Sequence, residues 1–368
     1  MRKTTAIDSG NTLRFQKVSD QSLPELACKS IINILKETKI DKKEIDGLIV
    51  SSCSTEQYLG SIISEMININ PKISTKIENL CNSGTSAIFL AHSLISSGIC
   101  NAVIVTGIEK QNSPGNKLLW DITRGIYDLP IHWASLFAKT HFRYYNTSEE
   151  DLALVSEKNH KNANENPNAL FYNKKFSFLD IMNSKKIVDP LKILDCCYPC
   201  EGASSILLVS EKFAKKSENP IWIKGISQNN QGASFANISS DLRSVTTTKT
   251  ASKEAFNQAN LKPSDIDIAE LHDAFTILEI MAYEDIGFVE KGKGSKFIEQ
   301  DSIHINTRGG LLGCGHPIGA TGIAQTNEII LQLQEKTYNG RQRKNCSRGL
   351  VHNMAAAGTS STIIILEK

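Results

Sequence analysis

The sequence predicts an α/β fold: two similar halves in an αβαβα layered arrangement, with a loop domain inserted in the first half. Three observations predict it. Strand-like and helix-like stretches alternate through both halves of the 368 residues. The second half repeats signals of the first: residues 262–271 echo 41–50, Ala320-Thr321-Gly322 opens a helix as Gly84-Thr85-Ser86 does, and 359–368 mirror 203–212. Between them, residues 112–195 are less regular. The expected units are 1–217, with a loop domain at about 112–195, and 218–368.

The elements follow in order. Residues 21–37 form a helix whose apolar face is Leu23, Leu26, Ala27, Ile31, Ile34 and Leu35. Residues 45–50 are a short apolar strand. Leu80-Cys81-Asn82-Ser83-Gly84-Thr85-Ser86-Ala87 then runs into a helix with the stripe Ala87, Leu90, Ala91, Leu94 and Ile95, closed by Gly98 as a C-terminal cap. Residues 102–106 read as a buried strand. The section after it carries Trp120, Trp133, Phe142, Arg143, Tyr144 and Tyr145 and a polar loop at 162–168, the composition of an inserted loop domain rather than sheet core. Residues 203–209 return to strand, 212–220 are a lysine-rich linker, and a new strand starts at 221. In the second half, Leu271-His272-Asp273-Ala274-Phe275 ends a strand. Residues 309–322 are a glycine-dense loop with one histidine, His316, running into a helix. Residues 351–358 join the last two strands. The layering buries the two helices that follow Cys81 and His316.

Composition excludes several functions. With 41 basic and 39 acidic residues the net charge is +2, too balanced for an electrostatic nucleic-acid binder. No apolar run is long enough to span a bilayer. The first residues are basic but lack the apolar segment of a secretory signal, and the last three resemble no peroxisomal address, which together read as cytoplasmic. Nine scattered cysteines, an odd number, fit a reducing compartment. Cys196, Cys197 and Cys200 cluster without a second ligand pair at zinc spacing, so no metal site is expected.

Cys81 stands just before a helix N-terminus, where free N–H groups and the helix dipole favour a thiolate and hold anions. Ser83, Gly84 and Ser86 leave room beside its sulfur. The glycine loop around His316 brings backbone close to something. In the pseudo-symmetric pairing of the halves it faces Cys81, which makes a Cys–His pair.

These residues together resemble the thiolase superfamily, over essentially the whole chain. The resemblance rests on the Cys81 stretch, on His316-Pro317 with Gly319-Ala320-Thr321-Gly322, and on His272-Asp273-Ala274-Phe275, where ordinary thiolases have Asn-Glu-Ala-Phe. That last form, with Asp189-Pro190-Leu191 and Asp195-Cys196-Cys197, is similar to the branch of archaeal and sterol-carrier-protein thiolases. The resemblance implies a thiolase-like fold and an acyltransferase of lipid metabolism. Cys81 would take an acyl group from a coenzyme A thioester. His316 would activate the thiol and, with His272, bind a thioester oxygen. The N–H of Cys81 and a donor near Ala355 would form a second oxyanion hole. No covalently bound cofactor is implied. A homodimer or dimer of dimers is, with strand 102–106 near the interface, as is a small zinc-ribbon and OB-fold partner protein.

The departures from the family carry weight. Thiolases keep a second acid/base cysteine in the last loop, where Asn353 stands, or in some relatives at the Ala274 position. Cys314 and His352 are candidate surrogates. Ala355, Ala356 and Ala357 replace glycines, and Glu201 replaces an aspartate. Acylation of Cys81 with slow acetyl-CoA self-condensation is therefore expected. The alternatives are an acetyl-CoA acetyltransferase or 3-ketoacyl-CoA thiolase with another base, and a non-catalytic acyl-CoA-binding subunit.

Overall fold

The computed structural model describes residues 4–113, 129–233, 241–298, 300, 302–338 and 340–368. Trp120 and the three basic-terminus residues 1–3 lie outside the described residues.

The first half contains β1 (Thr5–Thr12), α1 (Leu23–Glu37), β2 (Gly47–Ser51), α2 (Leu59–Met66), β3 (Ile73–Ile77), α3 (Ser83–Ser96) and β4 (Ala102–Lys110). Next come α4 (Pro130–Tyr145), α5 (Glu149–Asn164), α6 (Phe178–Met182), the hairpin β5 (Lys186–Val188) and β6 (Leu191–Lys192), β7 (Glu201–Ser210) and α7 (Glu211–Ala214). The second half runs β8 (Ile221–Asn230), α8 (Thr246–Ala259), β9 (Ile268–Glu270), α9 (Thr276–Ile286), α10 (Gly294–Phe297), β10 (His304–Ile305), α11 (Gly310–Cys314), α12 (Ile318–Leu333), β11 (Arg348–Ala355) and β12 (Ser360–Glu367).

Among the described residues ten strands form one mixed sheet in the order β10-β9-β11-β12-β8-β1-β7-β4-β2-β3. The order is palindromic in kind. Each half contributes five strands, and the halves join where β1 pairs with β8 at Ala6–Trp222 and Ile7–Ile221. Three cores give the five layers. Ala6, Leu48 and Leu207 pack outward on α1 and α2; Ile7, Val105, Leu208, Val351 and Ile364 pack inward on α3 and α12; and Leu350, Ile363 and Ile365 pack outward on α8 and α9. β7 is buried at every position and β4 at all but its last, because both faces are covered. The fold is thus the expected layered α/β class.

Local chemistry explains several ends. Ser22 caps α1 and Glu25 returns the bond, a full capping box. Gly98 takes φ +82° just beyond α3, as expected of a C-terminal glycine. The central helices α3 and α12 cross where Gly84 and Gly322 meet. A Cβ on Gly84 would lie 3.0 Å from the Ile323 nitrogen, and one on Gly322 2.8 Å from the Thr85 nitrogen. That crossing brings two helix N-termini together.

Other expectations need correction. Within the described residues 129–195, α4 and α5 are sixteen-residue helices. Trp133, Phe137 and His141 make the buried stripe of α4, and their i, i+4, i+8 spacing carried that signal. The 212–220 linker begins inside α7. The 309–322 loop contains α11. β11 extends through Ala355, so Asn353 is a strand residue rather than a loop residue. Strand 102–106 belongs to β4, which is interior, between β2 and β7; β3 is the open edge of that half.

Candidate active site

Cys81 sits in a single 3₁₀ turn, Leu80–Asn82, that leads into α3. Leu80 holds φ +45°, a left-handed conformation that a branched residue adopts only when its surroundings impose it. The restraints are visible. Leu80 N–H donates to Glu78 Oε1 at 2.7 Å, and Ser83 Oγ donates to the Leu80 carbonyl at 2.6 Å. Asn82 Nδ2 donates to Ser360 Oγ at 2.9 Å, tying the turn to β12. The turn is therefore fixed from both halves of the chain.

His316 follows Gly315, whose φ is +85°. Its N–H donates to the Tyr198 carbonyl at 2.9 Å. Its ring Nδ1 lies 2.7 Å from Thr321 Oγ1, and Thr321 Oγ1 is 3.0 Å from the Pro317 carbonyl. A hydroxyl has one proton. Thr321 gives it to Pro317 and so accepts from His316 Nδ1–H. That assigns the tautomer: Nε2 keeps its lone pair, and it has no hydrogen-bond partner although buried.

The chain brings Cys81, His272 and His316 together. One ligand atom from each lies within 4.8 Å of the other two, and all three residues are buried. The imidazoles of His272 and His316 meet edge to face with centroids 5.4 Å apart. A soft sulfur and two imidazole nitrogens could hold a transition metal; the same three atoms also make a nucleophile–base set.

Burial sets the charge state. It pushes the Cys81 thiol up to about 12, against hydrogen bonds from the Ala356 N–H and its own N–H, which favour the thiolate. It holds His316 down to about 3, helped by the Arg308 cation. His272 is also held well below its ordinary value by burial and the two neighbouring histidines. At rest the site is a neutral thiol beside neutral imidazoles.

The donor from the last turn is Ala356, one residue later than expected. Ala356 has φ +46° and lines the cavity, while Ala355 ends β11. The same shift takes the position two residues earlier from Asn353 to Met354, which packs with Trp133, Ala274 and Phe275. Asn353 instead donates to Gln325 Oε1 at 2.6 Å, against α12. The two surrogate candidates do not line the cavity. The Cys314 thiol donates to the Arg308 carbonyl at 2.9 Å. His352 Nε2 pairs with Thr248 Oγ1 at 3.0 Å, and burial pushes the ring down to about 3. Glu201 accepts from Ser19 N–H and Ser113 Oγ, a structural role.

Sequence reading missed two supporting carboxylates. Asp273 accepts from Leu311 N–H at 2.6 Å and Asn159 Nδ2 at 2.7 Å, fastening the His272 loop to α11. Glu109 accepts from Cys53 N–H at 2.9 Å and Gly319 N–H at 3.1 Å, holding the start of α12. Burial pushes each up to about 7. The available signal was an acid at the end of an apolar strand.

Above the trio lies a cavity of about 290 Å³, walled largely by Leu129, Ile131, Trp133, Phe275 and Ile318. Trp133 stands edge-on to Phe275 with centroids 5.4 Å apart.

Residues 4–189 match the model of the thiolase N-terminal domain, and residues 230–368 that of the thiolase C-terminal domain-like family. The chain belongs to the thiolase family. An acetyl-CoA acetyltransferase of Methanothermobacter thermautotrophicus is 31% identical over the full length of both chains. Sterol carrier protein 2 of Gallus gallus is 29% identical, covering 97% of this chain and 70% of its own. Among solved structures, the Ltp2-ChsH2(DUF35) aldolase superposes with a TM-score of 0.89 at 24% identity, covering 100% of this chain and 98% of that one. The acetyl-CoA acetyltransferase of Syntrophomonas wolfei superposes at 0.77 with 16% identity, covering 100% and 99%. These likenesses carry the thiolase fold. Among the described residues of this thiolase no helix is long and apolar enough to cross a membrane.

Proposed function

We propose that this thiolase is an acyltransferase that takes an acyl group from acyl-CoA onto Cys81 and passes it to a carbon nucleophile, or runs the reverse cleavage. Thiolases use acyl-CoA as substrate with no additional cofactor. The observation that carries the reading is the Cys81 sulfur beside an imidazole whose Nε2 lone pair is fixed and unpartnered.

In this reading His316 Nε2 takes the thiol proton as the sulfur attacks the thioester carbon. A neutral pair needs no standing thiolate, so the burial that raises the thiol is no obstacle. The N–H groups of Cys81 and Ala356 point at the sulfur's surroundings and serve the developing oxyanion, each typically contributing a factor of ~10²–10³. His272 and His316 serve the second thioester oxygen. The walls that would surround the acyl group are largely apolar.

The names of the archaeal relatives favour a narrower second reading, an acetyl-CoA acetyltransferase. It differs by forming acetoacetyl-CoA from acetyl-CoA alone. A non-catalytic subunit is disfavoured by the complete Cys–His set. Assembly as a homodimer or dimer of dimers is part of the proposal, as is a small partner protein, which the two-protein title of the aldolase neighbour supports. The test is intact-protein mass spectrometry after incubation with an acyl-CoA panel. An acyl increment that disappears in Cys81→Ser is expected; no increment with any acyl-CoA would overturn the reading.

A further inference from the structure

Transfer to a carbon nucleophile requires a base for a carbon-bound proton, and the cavity limits the choice. Among the described residues the titratable groups that line it are Cys81, Cys196, Cys197, His272 and His316. Cys81 carries the acyl group at that stage. His316 holds the proton that Cys81 gave up. His272 stands 5.4 Å from that ring, and a second cation there would oppose the first. Cys196 turns its thiol back to the Lys192 carbonyl at 3.3 Å. Cys197 remains.

Its position fits. The Cys197 N–H donates to the Ala274 carbonyl at 2.9 Å, so the residue is held against the loop that carries His272. It packs against the cluster of Trp133, Ala274 and Phe275 that walls the cavity. Its sulfur makes no hydrogen bond to a described residue, and it lies within the electrostatic reach of Cys81. We propose that Cys197 is the second acid/base of the site, shuttling the proton between the leaving coenzyme A sulfur and the acceptor carbon. This rests on the acylation of Cys81.

The balance closes. The Cys81 proton passes to His316, the Cys81 sulfur bonds to the acyl carbon, and the bond to the coenzyme A sulfur breaks. That sulfur takes the Cys197 proton and leaves as a thiol. A thiolate and an imidazolium now share the cavity, an attractive pair between largely apolar walls. The thiolate removes the acceptor proton. The carbon electron pair attacks the acyl carbon, the bond to Cys81 breaks, and His316 returns its proton to Cys81. The net change is acyl-CoA plus carbon acid to acylated carbon plus coenzyme A thiol. Burial holds the Cys197 thiol above its ordinary value, which suits a group that starts the cycle as the acid.

The experiment uses the full chain, acetyl-CoA and D₂O, with Cys197→Ala and the nearly isosteric Cys197→Ser. Two quantities are read: the acetyl increment on Cys81, and deuterium entering the acetyl methyl group. The increment is expected to form more slowly in both variants but to reach the same final extent, since the leaving thiolate can also be protonated by His316. Deuterium exchange is expected to fall at least ~10²-fold. A merely structural role would lower the final extent and the exchange together. Exchange at the unchanged rate in Cys197→Ala or Cys197→Ser, or no exchange by an unaltered protein whose Cys81 is acetylated, overturns the inference alone. Absence of the increment from the unaltered protein overturns the acylation reading and the inference with it.

Discussion

Gly84 and Gly322 touch backbone to backbone at the crossing of the two central helices, and this contact sets the distance between Cys81 and His316. Each catalytic candidate sits just ahead of the helix that carries one of these glycines, Gly84 at its second position and Gly322 at its fifth. A methyl group at Gly84 would press on the Ile323 nitrogen at 3.0 Å and on Gly322 at 3.1 Å. Neither is a flexible side chain, so the helices must separate. Gly84→Ala is expected to cost about 1–3 kcal/mol in stability and to slow Cys81 acylation. Urea denaturation and rapid-quench mass spectrometry measure the two effects.

Thr321 orients His316. Replacing it with valine removes the acceptor for Nδ1–H and frees the ring to change tautomer. The loss of one buried hydrogen bond, about 1–1.5 kcal/mol, corresponds to roughly a tenfold slower acylation. Thr321→Ser is expected to restore the rate, because the hydroxyl and its Pro317 acceptor remain within reach.

The pH response follows from the neutral resting pair. His316 is held down to about 3, so its base form persists well below the ordinary histidine value of 6.5. Acylation of Cys81 is expected to show no inflection near 6.5. Alkylation by iodoacetamide in the absence of acyl-CoA, which needs a preformed thiolate, is expected to rise through pH 9 toward 12. For stability the sign is fixed by proton binding. The unfolded chain binds more protons than the folded one between pH 6.5 and 3 at His316, so that contribution is lost as the pH falls through this window.

Asn353→Cys tests the register of the last strand. The Asn353 side chain faces Gln325 on α12, not the cavity. The new thiol is expected to leave acetoacetyl-CoA formation unchanged and to cost about 1–3 kcal/mol, because it strips Gln325 of its partner. A gain in condensation would show that the cysteine reaches the cavity after all.

Ala356 carries the donor to Cys81 at φ +46°, a conformation that costs a residue with a Cβ about 1–2 kcal/mol. Ala356→Gly is expected to raise the denaturation midpoint by a corresponding amount. It keeps the N–H, so acylation persists.

The sequence by itself determined the alternation of elements, the two-half repeat and the identities of Cys81, His272 and His316. Periodicity of apolar residues and the glycines at helix starts are local properties, and a chain prints them in order. It also showed that Asn353 and Ala274 lack a base. It put the last-turn donor near Ala355 rather than at Ala356, because three consecutive alanines are alike until a strand pairs: β11 against β12 puts the turn after Ala355. It could not say that α4 would roof the site, since its aromatic stripe finds its partner only across the fold, in Phe275 and Leu278. The Glu109 clasp on Gly319 and the place of Cys197 beside Ala274 were decided by tertiary structure alone. Each joins groups whose meeting depends on the closing of the central helix pair and the sheet around it, and hydrogen-bond geometry at a few ångströms is set by that packing rather than by neighbours in the chain.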